Sequence, residues 1–226
     1  IQNPISYVDS NLIGTFHILE MSRKHKPDHL LIASTSSVYG SNKDTPLDEN
    51  QKCDTQMSFY AATKKSNEAM AHSYSHLFNI PTTIFRFFTV YGPWGRPDMA
   101  LFKFTKSILA DKPINVFNNG NMKRDFTYIN DIIAGIRSAM DKNYKCEIFN
   151  LGNNESEKLM DMIAIIENEL NRKAKIEFQS MQLGDVQESF ASIDKSSSML
   201  DFNPSVDIQA GIPNLIKWFK DYYEIL

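Results

Sequence analysis

The residue types and spacing of Tyr60 and Lys64 suit a proton transfer. Side chains four residues apart on an α-helix lie on one face, so a helical segment would make the phenol and the ammonium neighbours. A nearby positive charge favours the phenolate, which can take a proton as a general base. The same spacing recurs at Tyr39 and Lys43, but there it falls on the turn-forming sequence Gly40-Ser41-Asn42. We therefore predict that the proton-transfer pair is Tyr60 and Lys64.

The segment that carries this pair has the composition of a helix and stands between two strand-like runs. Residues 60–78 are rich in Ala, Lys, Glu and Met, and Ser58 is a suitable residue to cap the helix N-terminus. Apolar residues 30–33 precede the helix and residues 82–88 follow it, as buried parallel strands would. This alternation of strands and helices predicts an α/β fold with a parallel sheet and helices on both faces.

Ligands of parallel sheets bind at the carboxyl ends of the strands. Residues 35–37 and 89–91 each follow a predicted strand, so we expect both segments to border one crevice together with Tyr60. The remaining apolar periodicity predicts further elements, namely helices at residues 7–25, 100–110, 131–140, 159–170 and 208–223, and strands at residues 114–117, 147–151 and 175–178.

The bulk composition argues against several classes of function. The 226 residues are 42% hydrophobic and 23% charged with a net charge of −3, as in soluble globular proteins. The sequence has no basic stripe, no apolar run as long as a membrane helix and no visible signal peptide. Cys53 and Cys146 do not have zinc spacing, and His72 and His76 lack an obvious third ligand. We therefore predict a cytoplasmic protein without a metal ion, a membrane segment or a nucleic-acid partner.

Four motifs occur in an order that is shared with a known protein family. They are Ser-Thr-Ser-Ser-Val-Tyr-Gly at residues 34–40, Tyr60-x-x-x-Lys64, Arg-Phe-Phe-Thr-Val-Tyr-Gly-Pro at residues 86–93, and Arg-Asp-Phe-Thr-Tyr at residues 124–128. The chain thereby resembles the extended short-chain dehydrogenase/reductase family, and within it the nucleotide-sugar 4-epimerases. The longer run at residues 88–100 is most similar to that of the UDP-glucuronate 4-epimerases.

The resemblance implies an N-terminally truncated Rossmann-type parallel sheet and a smaller C-terminal α/β region that binds substrate. Residues 1–92 would form the C-terminal part of the NAD-binding domain. Residues 93–226 would form mainly the sugar-nucleotide-binding region, with about 129–152 returning to the sheet. The chain has no counterpart of the family's glycine-rich turn for the pyrophosphate of NAD, and roughly ninety residues of the family pattern are missing before Ile1. We therefore expect either a fragment of a longer protein or a truncated chain.

The resemblance also implies a reaction. Tyr60, kept as the phenolate by Lys64 and the nicotinamide ring, would take the proton from the 4-hydroxyl of a UDP-sugar. Thr35 would share a hydrogen bond with the same oxygen. Hydride would pass from C4 to NAD, the 4-keto sugar would turn over, and hydride would return to its other face. The implied cofactor contacts are Tyr60, Lys64, Phe87 and Val90.

Other matched positions imply contacts with the nucleotide. Arg124 matches the family arginine that grips the diphosphate, a role that suits its planar set of donors. Phe117 would lie against uracil with Val116 nearby. Asp185 would hold the ribose hydroxyls. Each residue type also has an ordinary role, since the three could be a surface arginine, a core phenylalanine and a turn aspartate.

Three short hydroxyl side chains bear on the identity of the sugar. Thr89 stands where galactose-type epimerases usually carry Asn. Ser36 and Ser37 stand where 4,6-dehydratases carry an Asp-Glu pair, and UDP-glucuronate decarboxylases generally carry Glu at the position of Ser37. Hydroxyls suit hydrogen bonds to a C6 carboxylate, with Arg96 as an electrostatic contributor. The predicted reaction is therefore the NAD-dependent 4-epimerisation of UDP-glucuronate to UDP-galacturonate.

Two alternatives to this reaction remain open at the level of sequence. The chain could be an inactive sugar-nucleotide-binding fragment that lacks the NAD pyrophosphate site. It could also be another NAD-dependent nucleotide-sugar epimerase, decarboxylase or dehydratase. By resemblance, we also expect a homodimer formed through the helices around residues 7–25 and 60–78.

Overall fold

The computed structural model describes residues 3–225, and its contacts divide the chain into two compact units. Unit 1 comprises the chain up to Phe88 together with Ala134–Leu151 and Ala191–Asn203. Unit 2 comprises Thr89–Ile133, Gly152–Phe190 and the chain from Pro204 onward. The assignment of one region to NAD and the other to the sugar nucleotide stays a prediction.

The predicted helices occur in the expected order with some shifts at their ends, and the structure adds two short helices that the sequence did not indicate. The helices are α1 (Pro4–Tyr7), α2 (Gly14–His25), α3 (Phe59–Phe78), α4 (Ala100–Leu109), α5 (Ile129–Met140), α6 (Leu159–Leu170), α7 (Asp194–Leu200) and α8 (Ile208–Tyr222). The two added helices are α1 and α7. A π-helix spans Val8–Ile13, and short 3-10 helices span Ser36–Tyr39 and Asn118–Gly120. No helix within residues 3–225 is long and apolar enough to cross a membrane.

The strands include all of those predicted and several shorter ones. They are β1 (Leu30–Thr35), β2 (Thr82–Phe87), β3 (Thr89–Tyr91), β4 (Ile114–Phe117), β5 (Lys123–Arg124), β6 (Phe126–Tyr128), β7 (Cys146–Leu151), β8 (Glu157–Lys158), β9 (Ile176–Gln179) and β10 (Glu188–Ser189). Strands of two or three residues are too short to show an alternating pattern, which explains why the sequence does not reveal β3, β5, β6, β8 or β10.

In unit 1 a three-stranded parallel sheet has the order β1-β2-β7. In the register of this sheet, Thr35 at the end of β1 pairs with Phe87 of β2, and Phe87 pairs with Leu151 of β7. A small core of Leu19, Ile32, Ala71 and Ile84 packs helices α2 and α3 against this sheet. The parallel pairing confirms the predicted α/β class, because parallel strands require crossover connections.

The predicted helix at residues 7–25 is interrupted by the π-helix. The Asn11 side-chain amide donates a hydrogen bond of 2.9 Å to the Thr63 hydroxyl on α3. The wider turn of a π-helix moves side chains relative to an α-helix, and such turns are frequent at functional sites. Here the hydrogen bond of Asn11 connects the π-helix, which follows Tyr7, to the helix that carries Tyr60.

Unit 2 is built around one apolar core, and its strands pair in small groups. β3 pairs with β6 and β4 with β9, both parallel, while β5 lies between β10 and β8. The core gathers the inward faces of α4, α6 and α8, which supply Leu101, Phe104, Ile108, Met162, Ile163, Ile166, Ile212, Leu215 and Ile216. Burial of these side chains holds the short strands in place, since each strand has too few hydrogen bonds to be stable alone.

Candidate active site

The Tyr60 and Lys64 pair lies in the first turns of α3. The Ser58 side chain caps this helix by accepting a hydrogen bond of 3.1 Å from the Ala61 amide, which confirms the predicted N-cap. The Lys64 ammonium donates a hydrogen bond of 2.7 Å to the carbonyl of Ala33 near the end of β1. Burial lowers the pKa of Lys64. The helix therefore holds a half-buried ammonium at the carboxyl end of a parallel strand.

The Tyr60 ring has Tyr7 as an aromatic neighbour. The rings of Tyr60 and Tyr7 lie 5.7 Å apart, centroid to centroid, at an angle of 55°. Within residues 3–225 the Tyr60 hydroxyl has no hydrogen-bond partner. The Tyr60 ring is therefore supported by packing against Tyr7.

Thr35 and the two serines stand where β1 ends. The Thr35 hydroxyl accepts a hydrogen bond of 3.2 Å from the Ser37 amide, and the Thr35 and Ser37 hydroxyls are also 3.2 Å apart. Thr35 is buried, Ser36 is half-buried and Ser37 is exposed. Gly40 closes the motif with a φ of +59°, where a Cβ atom would overlap the Thr55 carbonyl. The motif thus needs glycine there to place three hydroxyls at the strand end.

Below this strand end lies a buried ion pair that the sequence did not reveal. Both oxygens of Glu68 accept hydrogen bonds of 2.9 Å from Arg86, and Glu68 also accepts one of 2.6 Å from the Ser34 hydroxyl. The Glu68 and Arg86 side chains are each only 2% exposed. On α3 itself Glu68 also binds the Lys65 ammonium at 3.1 Å, but no local spacing links Glu68 to Arg86, which is 18 residues away. The pair fastens α3 to β1 and β2.

The network continues from Arg86 towards β7. The Arg86 guanidinium lies 4.8 Å from the centre of the Tyr39 ring, a cation–π distance. Tyr39 donates a hydrogen bond of 2.7 Å to the Asn150 side chain, whose amide group in turn donates to the carbonyls of Leu47 and Ser192. These contacts connect the motif that follows β1 to β2 and β7.

Unit 2 contains a cavity of about 550 Å³. Four residues with predicted substrate contacts line it, namely Thr89, Phe117, Arg124 and Asp185. Its wall also includes polar side chains that the sequence did not indicate, which are Asp98, Lys103, Ser107, Asn115 and Gln182. A cavity of this size, with one aromatic ring and several converging polar groups, is typical of a small-molecule site.

Arg124 and Asp185 are ion-paired in this cavity. The Arg124 guanidinium donates a hydrogen bond of 2.5 Å to the Asp185 carboxylate, and its other terminal nitrogen donates to the carbonyls of Lys123 and Gln187. The sequence predicted separate roles for these two residues, 61 positions apart. The structure joins them directly.

The other predicted residues lie elsewhere within their units. Val116 is fully buried in the unit 2 core, so its side chain is closed to a ligand in this structure. Arg96 is exposed and binds Asp98 through two hydrogen bonds of 2.6 and 3.0 Å. Phe87 stacks on Phe85 with ring centroids 5.8 Å apart. Val90 lies in β3 opposite Thr127 and is half-buried.

Comparison with known proteins places this arrangement in a family. The model of the NAD dependent epimerase/dehydratase family matches residues 1–152. The chain belongs to this family. The resemblance predicted from the four motifs is therefore confirmed.

Several relatives match almost the whole chain. Protein CapI of Staphylococcus aureus is 46% identical, over 99% of this chain and 72% of its own length. A probable UDP-glucuronate 4-epimerase of Rhizobium meliloti is 41% identical, over 99% of this chain and 71% of its own. The solved UDP-glucuronic acid 4-epimerase of Bacillus cereus, in complex with UDP-glucuronic acid and NAD, is 36% identical with a TM-score of 0.91. The match covers 96% of this chain and 69% of the Bacillus cereus chain.

Proposed function

We propose that this epimerase/dehydratase family member catalyses the NAD-dependent 4-epimerisation of UDP-glucuronate to UDP-galacturonate. The observation that carries the proposal is the end of β1, where the Lys64 ammonium on the Tyr60 helix is bound next to Thr35, Ser36 and Ser37. These residues supply a proton acceptor, a charge to stabilise it and three hydroxyls. They supply no carboxyl group for the elimination that a dehydratase performs.

The chain's own residues carry the proton transfer in this proposal. Tyr60 takes the proton of the sugar 4-hydroxyl and later returns one to the same oxygen. Lys64 stabilises the phenolate by its charge, while its bond to the Ala33 carbonyl keeps the ammonium in place. Thr35 holds the 4-oxygen through a hydrogen bond. The intermediate is the 4-keto sugar, and the net change is inversion at C4.

NAD fits the groups that the structure leaves available in unit 1. When bound, NAD supplies the chemistry of hydride acceptance and return. The Lys64 ammonium uses one N–H on Ala33, so two donors remain for ribose hydroxyls. The Tyr60 hydroxyl has no hydrogen-bond partner within residues 3–225. The half-buried Phe87 ring offers an apolar contact at the end of β2. We propose Tyr60, Lys64 and Phe87 of unit 1 as cofactor contacts and add Val90 of unit 2 on the strength of the family resemblance.

The nucleotide part of the substrate is proposed to bind in the unit 2 cavity. The Phe117 ring is half-buried there and suits stacking with uracil. Arg124 suits the diphosphate, and Asp185 suits the ribose hydroxyls.

The hexuronate carboxylate creates a hazard for an epimerase, because oxidation at C4 makes a β-keto acid that readily loses CO₂. We propose that Thr89, Ser36 and Ser37 bind the carboxylate and hold it in an orientation that is poor for C–C cleavage. Arg96 adds positive charge. Thr89 is half-buried, and its backbone amide is bound to the Asp125 carbonyl at 3.0 Å, so its hydroxyl can be removed without moving the chain.

Replacing Thr89 by Ala is expected to increase the ratio of UDP-pentose to UDP-galacturonate, because the carboxylate loses a hydrogen bond that restrains it. The ratio is measured by chromatography of the nucleotide sugars after incubation with NAD⁺ and UDP-glucuronate. Thr89→Ser keeps the hydroxyl and should behave as the unmodified protein. An unchanged ratio in Thr89→Ala would refute this role.

The direct test of the function is incubation of the protein with NAD⁺ and UDP-glucuronate. Formation of UDP-galacturonate supports the proposal, and formation of UDP-pentose as the main product would indicate a decarboxylase instead. Turnover of UDP-glucose in preference to UDP-glucuronate would indicate another sugar. Binding of UDP-glucuronate without turnover would favour a sugar-nucleotide-binding chain.

We also propose that a second copy of this chain covers the apolar side chains exposed near the N-terminal helices. Ile13, Phe16, Ile18 and Met21 are 42–55% exposed along the π-helix and α2. Sedimentation velocity is expected to show a dimer, and Phe16→Glu to show a monomer. Ile133→Glu changes a side chain of similar exposure outside these helices and should leave the dimer intact. A dimer that survives Phe16→Glu would place the interface elsewhere.

A further inference from the structure

The charges on the wall of the unit 2 cavity are unevenly matched. Its ionisable residues are Asp98, Lys103, Arg124 and Asp185. Each carboxylate is already bound by an arginine, Asp185 by Arg124 at 2.5 Å and Asp98 by Arg96 at 2.6 Å. Hydrogen bonds from Arg96 lower the pKa of Asp98, and Lys103 adds only a smaller attraction. Among the described residues of the cavity wall, the positive charge without an ion-pair partner is therefore that of Lys103.

Arg124 has limited capacity for a further anion. Its guanidinium has five N–H donors. Three of them are used: the carbonyls of Lys123 and Gln187 take both N–H groups of one terminal nitrogen, and Asp185 takes one N–H of the other, which leaves two donors. The Asp185 carboxylate also neutralises the guanidinium charge. A diphosphate with about two negative charges would gain little net attraction from this pair alone.

Helix α4 places Lys103 towards the same cavity. Ala100, Lys103, Phe104 and Ser107 all line it, and their spacing of three and four residues puts them on one helix face. Leu101, Phe102, Phe104, Thr105 and Ile108 of this helix are buried, so Phe104 belongs both to the core and to the cavity wall. The Lys103 ammonium forms no hydrogen bond or ion pair with any residue from 3 to 225. It is exposed on the wall and free to bind an anion.

We propose that Lys103 is a second cation for the substrate diphosphate, acting beside Arg124. This inference rests on the proposed function, since it assumes that a uridine diphosphate occupies the cavity. Lys103 then supplies the charge that Asp185 removes from Arg124. Its flexible stem lets the ammonium follow the phosphates, whereas the guanidinium is held by the backbone.

The test is calorimetric titration of the protein with UDP, uridine and UDP-glucuronate at two salt concentrations. Lys103→Gln removes the charge and keeps a polar side chain of similar length. Lys103→Arg keeps the charge. Lys106→Gln removes an exposed lysine of the same helix that lies outside the cavity and serves as the matched control.

Lys103→Gln is expected to weaken UDP binding about tenfold and to reduce its salt dependence, while uridine binding is unchanged. Lys103→Arg should restore UDP affinity to within about threefold, and Lys106→Gln should have no effect. Equal UDP affinity of Lys103→Gln and the unmodified protein would overturn the proposal. A loss confined to UDP-glucuronate would overturn it in favour of a carboxylate contact. Failure of the unmodified protein to bind UDP would instead refute the proposed function on which it rests.

Discussion

Replacing Tyr60 by Phe is expected to lower the rate of UDP-glucuronate epimerisation by about 10²–10⁴-fold, the usual contribution of a positioned acid-base group. The change removes one oxygen atom. Because the Tyr60 hydroxyl has no partner within residues 3–225, the variant should fold as the unmodified protein does. The ring contact with Tyr7 is kept. The loss should therefore appear in kcat, with little change in UDP binding.

The matched control is Tyr74→Phe. Tyr74 lies on the same helix, and its hydroxyl donates a hydrogen bond of 2.6 Å to Glu20, away from the end of β1. This variant loses the same atom and should retain turnover. Rates are measured from UDP-galacturonate formation, and folding is checked by circular dichroism. A folded Tyr60→Phe protein with normal turnover would assign the proton transfer to another residue.

Replacing Glu68 by Gln is expected to lower the free energy of unfolding by about 3–5 kcal/mol at neutral pH. The Arg86 guanidinium, which is 2% exposed, would then remain charged in a buried site without its carboxylate partner. Glutamine has nearly the same shape, so the loss reports the charge and its hydrogen bonds more than packing. The measurement is urea-induced unfolding followed by fluorescence.

The control for this variant is Glu20→Gln. Glu20 also binds an arginine, Arg23 at 2.8 Å, but the two side chains are 33% and 46% exposed. An exposed pair contributes little because water screens both charges, so this variant should be far closer to the unmodified protein. Equal losses in the free energy of unfolding would show that the buried ion pair stabilises the protein no more than the exposed one does.

The Glu68 effect should also depend on pH. Burial raises the pKa of Glu68, but the hydrogen bonds and charge of Arg86 outweigh burial and leave the pKa below 4.5. A folded-state pKa below the unfolded value means that the unfolded chain binds more protons as the pH falls. The stabilisation is therefore present above about pH 4.5 and is lost as the pH falls through the folded-state pKa. The difference in free energy of unfolding between Glu68→Gln and the unmodified protein should therefore stay constant above about pH 4.5. It should narrow as the pH falls below that value.

Much of the fold follows from signals that are local in the chain. The cap at Ser58, the apolar runs that become β1 and β2, and the periodicity of α4, α6 and α8 all involve residues within a few positions of one another. Such patterns report secondary structure directly. The same holds for Tyr60 and Lys64, since one helical turn joins them. The motifs also sufficed for the family, which the comparison confirmed.

The π-helix at Val8–Ile13 shows where local signals end. Its apolar residues fit an α-helical repeat, and in the π-helix Asn11 binds Thr63, 52 residues away. No pattern within the segment records this partner. The predicted single helix is therefore wrong in this part.

Local spacing and residue type were enough to predict an α/β chain, its principal helices and a tyrosine-lysine pair, because these depend on neighbours along the backbone. Partners that are distant in sequence emerged only after folding. Glu68 meets Arg86, Arg124 meets Asp185, and Lys103 lies on the cavity wall without an ion-pair partner in the described part of the chain. Charge pairing depends on distances of a few ångströms between separate elements, and a linear sequence does not specify those distances.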